Sequence, residues 1–132
     1  MATIHREIWI DIPPEAAWDA LRDIGALHDR LARGFVVETE LEPGARLVTF
    51  ANGLRLREHI VAIDEEMWRL VWAAESDGLT HHNGAAQIFS DGTGTRFVWI
   101  ADLLPDEAAR EIASMMGDGL TAIRRTLETT QA

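Results

Sequence analysis

The sequence predicts an α+β fold: one curved antiparallel sheet of seven strands closed by a single long C-terminal helix. Three observations carry this. Turn-forming residues recur at intervals of about nine to fifteen residues through the middle of the chain. The segments between them are β-branched and aromatic with two-residue alternation. The last stretch changes to apolar spacings of three and four.

The elements follow in order. Ile4–Ile12 alternates, with Ile4, Ile8 and Ile10 against His5, Glu7 and Asp11, and reads as the first strand, with His5 at the surface. Pro13-Pro14-Glu15 opens a short helix, because proline suits a first turn and a carboxylate suits the positive end of the helix dipole. Ala17, Trp18 and Leu21 form its apolar side. A second short helix is expected at about Leu27–Arg33, ending before Gly34.

Six strands come next: Phe35–Glu42, Arg46–Ala51, Leu54–Asp64, Trp68–Ser76, Thr80–Ser90 and Thr95–Leu104. The turns between them are Pro43-Gly44, Asn52-Gly53, Asp64-Glu65-Glu66, Asp77-Gly78 and Asp91-Gly92-Thr93-Gly94. Asn-Gly and Asp-Gly supply the positive φ angles of tight hairpins, so these strands form a meander. Pro105-Asp106-Glu107 starts the last helix, whose stripe is Ala108, Ile112, Met115, Met116, Leu120, Ile123 and Leu127. It is the one element long enough to cover the concave side of a bent sheet.

Composition sets the outer limits. The chain has 132 residues, 47% hydrophobic and 26% charged, which suits one domain over residues 1–132 with a real core. It contains no cysteine, which excludes disulfide frameworks, thiolate metal sites and cysteine nucleophiles. The twelve basic residues are all arginine and face 22 acidic ones, giving a net charge of −10. That balance repels phosphate backbones and anionic lipid, so nucleic-acid binding and membrane insertion are not expected. The apolar runs are short and the first residues carry no apolar signal core, so a cytoplasmic location is the expectation. A homodimer is compatible with the sequence but has no support in it, and no cofactor is implied.

Three segments resemble those of the START, birch-pollen-allergen and polyketide-cyclase superfamily (SRPBCC), whose architecture is called the helix-grip fold. Ile10-Asp11-Ile12-Pro13-Pro14-Glu15-Ala16-Ala17-Trp18 resembles its entry into the first helix, with Ile12 where the family has alanine before the proline. Arg57-Glu58-His59-Ile60-Val61 with Asp64 resembles an internal strand, and Gly94-Thr95-Arg96-Phe97-Val98-Trp99 its last hairpin. The resemblance spans nearly the whole chain. It implies a space between sheet and long helix that takes an apolar or amphipathic molecule. Members include carriers, aromatic polyketide cyclases and a chaperone activator, so fold alone does not set the function.

Alternation assigns the inner face. Phe97, Trp99, Ala101 and Leu103 share one side of the last strand; Leu70, Trp72 and Ala74, and Gly84, Ala86 and Ile88 with His82, share it on the two strands before. In Leu54–Asp64 the choice of Leu56, Glu58 and Ile60 as inner leaves Val61 and Ile63 in need of a bulge or a partner. Hairpin counting then puts Glu58, Trp72 and His82 in one row. A carboxylate and an imidazole beside an aromatic wall can orient a polar ligand or move a proton. Alternatively Glu58 is satisfied by an arginine or by backbone and serves only folding. The expected ligand wall is Phe35, Glu58, Trp72, His82, Phe97, Trp99, Met116 and Leu120.

Other features point less far. His81 and His82 are adjacent on a strand and so face opposite ways, which excludes chelation of one metal; no metal site is expected. His28 and Asp29 fall where this fold has its cavity mouth, or simply on a solvated helix face. Gly117 and Gly119 weaken the long helix, which suggests room for a ligand or a close strand. No serine nucleophile motif or phosphate loop is present. The leading expectation is binding of a small hydrophobic or amphipathic molecule. The rivals are a cyclase- or dehydratase-like enzyme using Glu58 and His82, and a protein-interaction module.

Overall fold

The computed structural model describes residues 1–130. The strands are β1 (Ala2–Ile10), β2 (Val36–Glu42), β3 (Ala45–Phe50), β4 (Arg55–Asp64), β5 (Arg69–Glu75), β6 (His81–Asp91) and β7 (Gly94–Leu104). Helix α1 spans Pro14–Arg22 and α2 spans Ala109–Thr130. The strands form one sheet in the order β1-β7-β6-β5-β4-β3-β2, every pair antiparallel. The meander therefore runs across the sheet, and β1 returns to flank β7. This is the Bet v 1-like helix-grip architecture.

The glycines of four hairpin turns have the positive φ their turns require, from +62° at Gly92 to +91° at Gly53. The fifth turn uses a carboxylate instead: Asp64 Oδ1 accepts from the backbone N–H groups of Glu66 and Met67 at 3.1 and 2.9 Å. The core lies between the concave face of the sheet and α2, with Ile10, Val48, Leu70 and Phe97 from the sheet meeting Leu120, Ile123 and Leu127 from the helix. A smaller cluster of Ile4, Ala101, Leu103 and Met116 fills the end nearest the start of α2.

Four local differences from the sequence expectation have physical causes. β1 ends at Ile10, not Ile12. Ile12 turns back onto Ile10 O, and Thr95 Oγ1 donates to Ile12 O at 2.8 Å, which buries this isoleucine below the sheet. The second helix is no regular helix: a tight turn at Ile24–Ala26 runs into one widened turn at Leu27–Leu31, closed by Ala32 N–H to Leu27 O. The long helix becomes regular only at Ala109, after a tight turn at Asp106–Ala108. In β4 the register shifts between Ile60 and Ala62. The bulge gives neither apolar residue cover: Val61 is 62% and Ile63 40% exposed, while Leu56 and Glu58 stay buried.

The bulge and the turn lengths also correct the expected row. The β4–β5 connection occupies residues 65–68 and the β5–β6 connection residues 76–80, both longer than the tight turns assumed. Trp72 therefore lies opposite Ile60 and Gly84, and Glu58 opposite Ala74. His82 continues the row of Glu58 and Ala74 just past the last paired residues, Ala73 and Asn83.

Candidate functional site

The site is built where the inner face of strands β3 to β7 meets α2. Trp72 on β5 and Trp99 on β7 come within 6.2 Å, ring centre to ring centre, tilted by 56°. Each rests on a glycine. A Cβ at Gly84 would sit 2.5 Å from the Trp72 indole, and one at Gly119 would sit 2.9 Å from Trp99 and 3.1 Å from Phe35. Gly119 on α2 thus answers the close-strand expectation. Gly117 meets nothing within 4 Å, and nothing in the structure explains it. Phe35 and Phe50 pack edge to face at 5.4 Å on the other side.

These aromatics divide the interior into two chambers of about 60 Å³ each. Phe35, Phe50, Glu58, Trp72 and Trp99 line both, so they form the partition. The first chamber continues toward α1 and the irregular turns, past Leu21, Leu27, Leu31, Ala86, Phe97 and Ile123. The second continues toward the β5–β6 connection and the start of α2, past Leu79, His82, Ile112, Met115 and Met116. Of the expected wall, Phe35, Glu58, Trp72, His82, Phe97, Trp99 and Met116 line one chamber or both. Leu120 is a correction: its side chain, one turn beyond Met116, is packed into the core and lines neither.

Glu58 is 6% exposed, and its partner is Arg46, 3% exposed, directly opposite on β3. Arg46 Nε donates to Glu58 Oε1 at 2.9 Å and Nη1 donates to Ile24 O at 3.2 Å. The guanidinium also lies 5.9 Å from the Trp72 ring centre. Glu58 is thus held as one half of a buried ion pair. Sequence reasoning missed Arg46, although the signal was present: Arg46 shares its parity with Val48 and Phe50, both buried.

His82 is half-buried and its Nδ1 is enclosed without a hydrogen-bond partner among the described residues; the same holds for Trp99 Nε1. Burial pushes the His82 imidazole below its ordinary value near 6.5, outweighing the opposing pull of the Glu58 charge, and His81 adds to the lowering. The remaining histidines stand apart. His81 is exposed and 2.6 Å from Asn83 Oδ1, His5 is exposed beside Glu7, His59 is exposed and 3.3 Å from Glu75 Oε1, and His28 bonds Thr39 Oγ1 at 3.1 Å. Asp29 is exposed, facing Arg33. Among the described residues no cluster of three His, Cys, Asp or Glu is placed to hold a metal, and no helix is long and apolar enough to cross a membrane.

Comparison with known proteins gives the class its family. Residues 1–128 match the family described as polyketide cyclase/dehydrase and lipid transport, and the chain belongs to it. No curated protein matches the chain in sequence. Among solved structures it is similar to the protein XoxI from Bacillus cereus, at 16% identity and a TM-score of 0.87, covering 100% of this chain and 99% of that one. It is also similar to Ara h 8.0201, at 17% identity and TM-score 0.74 over 97% and 98% of the two chains. A protein from Thermobifida fusca matches at 26% identity and TM-score 0.74, over 97% and 91%.

Proposed function

We propose that this protein, acting as one domain, binds a small hydrophobic or amphipathic molecule in the interior between the sheet and α2. The observation that carries this is the shared partition. Two apolar chambers meet at one wall of aromatic side chains, so a modest movement of the Trp72 and Trp99 indoles joins them into one space. Each chamber alone is far smaller than the roughly 300–1,000 Å³ of a drug-sized ligand site, so binding and indole movement go together. The family description, which includes lipid transport, agrees with a carried apolar ligand. The Arg46–Glu58 pair fixes the polar corner of the wall, while His82 and Trp99 supply the groups left to meet a ligand.

Titration with N-phenyl-1-naphthylamine, a neutral probe that fluoresces in apolar surroundings, tests the reading. Saturable binding at one probe per chain is expected, weakened by Ala86→Leu, which puts a larger aliphatic group into the first chamber. Absence of saturable binding, or binding untouched by a folded Ala86→Leu protein, contradicts it.

A further inference from the structure

Resting on the binding reading above, we infer that the second chamber selects an uncharged ligand carrying one hydroxyl or carbonyl oxygen, held by Trp99 Nε1 and His82 Nδ1. The argument starts from hydrogen-bond inventory. An indole N–H is a donor only, and an imidazole nitrogen donates or accepts according to its tautomer. Both atoms are enclosed, both lack a partner among the described residues, and both side chains line the same chamber. A buried polar atom without a partner costs stability, so such atoms are commonly accounted for by a ligand or an ordered water. An alcohol or phenol oxygen accepts from Trp99 and donates to His82. A carbonyl oxygen accepts from both once the His82 proton is on Nδ1.

Charge selects further. The carboxylate at this wall, Glu58, is already matched by Arg46, so the wall carries no spare charge of either sign. Burial disfavours the charged form of His82, so near neutral pH the imidazole is a poor counter-charge for an anionic ligand. A carboxylate or ammonium entering here would lose its hydration with only neutral dipoles in exchange. Size selects as well. At roughly 10–15 Å³ per water-sized position, the chamber's 60 Å³ offers about four to six such positions, so the part of the ligand seated here is small.

Three ring compounds of similar size separate the possibilities: phenol, toluene and benzoate, each titrated calorimetrically into the full chain near neutral pH. Phenol is expected to bind about tenfold more tightly than toluene, and benzoate more weakly than either. Trp99→Phe should erase the phenol preference while changing toluene affinity only about threefold; His82→Leu is the second variant and should erase most of it. Equal binding of phenol and toluene, or a preference that survives in either folded variant, overturns the inference and leaves the binding reading standing. Benzoate binding as tightly as phenol overturns the selection against charge. If no compound binds, the cavity reading falls and takes this inference with it.

Discussion

The two chambers share a wall and differ in how their polar groups are settled. Arg46, which lines the first, is matched to Glu58 on the shared wall and to Ile24 O. His82, which lines the second, and Trp99 on the shared wall leave Nδ1 and Nε1 without a partner among the described residues. Both arrangements lie under the same helix in similarly apolar surroundings, so burial alone does not separate structural from ligand-facing polar groups. Satisfaction does. A matched pair fixes the fold; unmatched atoms in a confined space are directed at something else.

The largest expected effect comes from unsettling the matched pair. Arg46→Met leaves the Glu58 carboxylate buried alone and should cost about 3–5 kcal/mol in chemical denaturation. Adding Glu58→Leu should restore most of that loss. If Arg46→Met alone is harmless, the pair is no structural element and the contrast between chambers fails.

Next comes the seat of the partition. Gly119→Ala gains helix propensity but drives a methyl group into Trp99 and Phe35, and should destabilise by about 1–2 kcal/mol. Gly117→Ala, two residues away and facing open space, should stabilise by up to about 1 kcal/mol. Denaturation midpoints that move in the same direction would remove Gly119 from the account of the wall.

The smallest effect concerns His82. Its folded-state imidazole titrates below the ordinary 6.5, so below that pH the unfolded chain binds a proton that the folded chain refuses. Stability therefore declines as pH falls through this window and is fully retained above it. Melting temperatures at about pH 7.5 and 5.5 should differ more in the native protein than in His82→Leu. An equal decline in both would mean that His82 is not held neutral by its surroundings.

Much of this was legible in the sequence, for reasons that can be named. Asn52-Gly53 and Asp77-Gly78 mark turns because few other residues tolerate their backbone angles, and alternation along Phe97-Trp99-Ala101-Leu103 leaves one choice of face. Glu58 could be placed inward because its strand offered more polar residues on the other side. Register was not legible. It depends on the length of the 65–68 and 76–80 connections and on the bulge at Val61, which local composition does not set, and so Trp72 moved out of the Glu58 row. Leu120 was misplaced because helical spacing tells which face is apolar, not whether a side chain on it meets a cavity or another side chain. Arg46 was overlooked because a charged residue invites an outward reading, which the parity of Val48 and Phe50 contradicts.

The central claim is that ligand binds against the Trp72–Trp99 wall, and the indole N–H signals of a nitrogen-15-labelled sample report on it directly. On titration with N-phenyl-1-naphthylamine, the Trp72 and Trp99 signals should move together. Those of Trp9, bonded to Asp91 O, and Trp18, bonded to Glu65, should stay in place. Movement of Trp9 or Trp18 with Trp72 and Trp99 unchanged would put the ligand elsewhere and contradict the account.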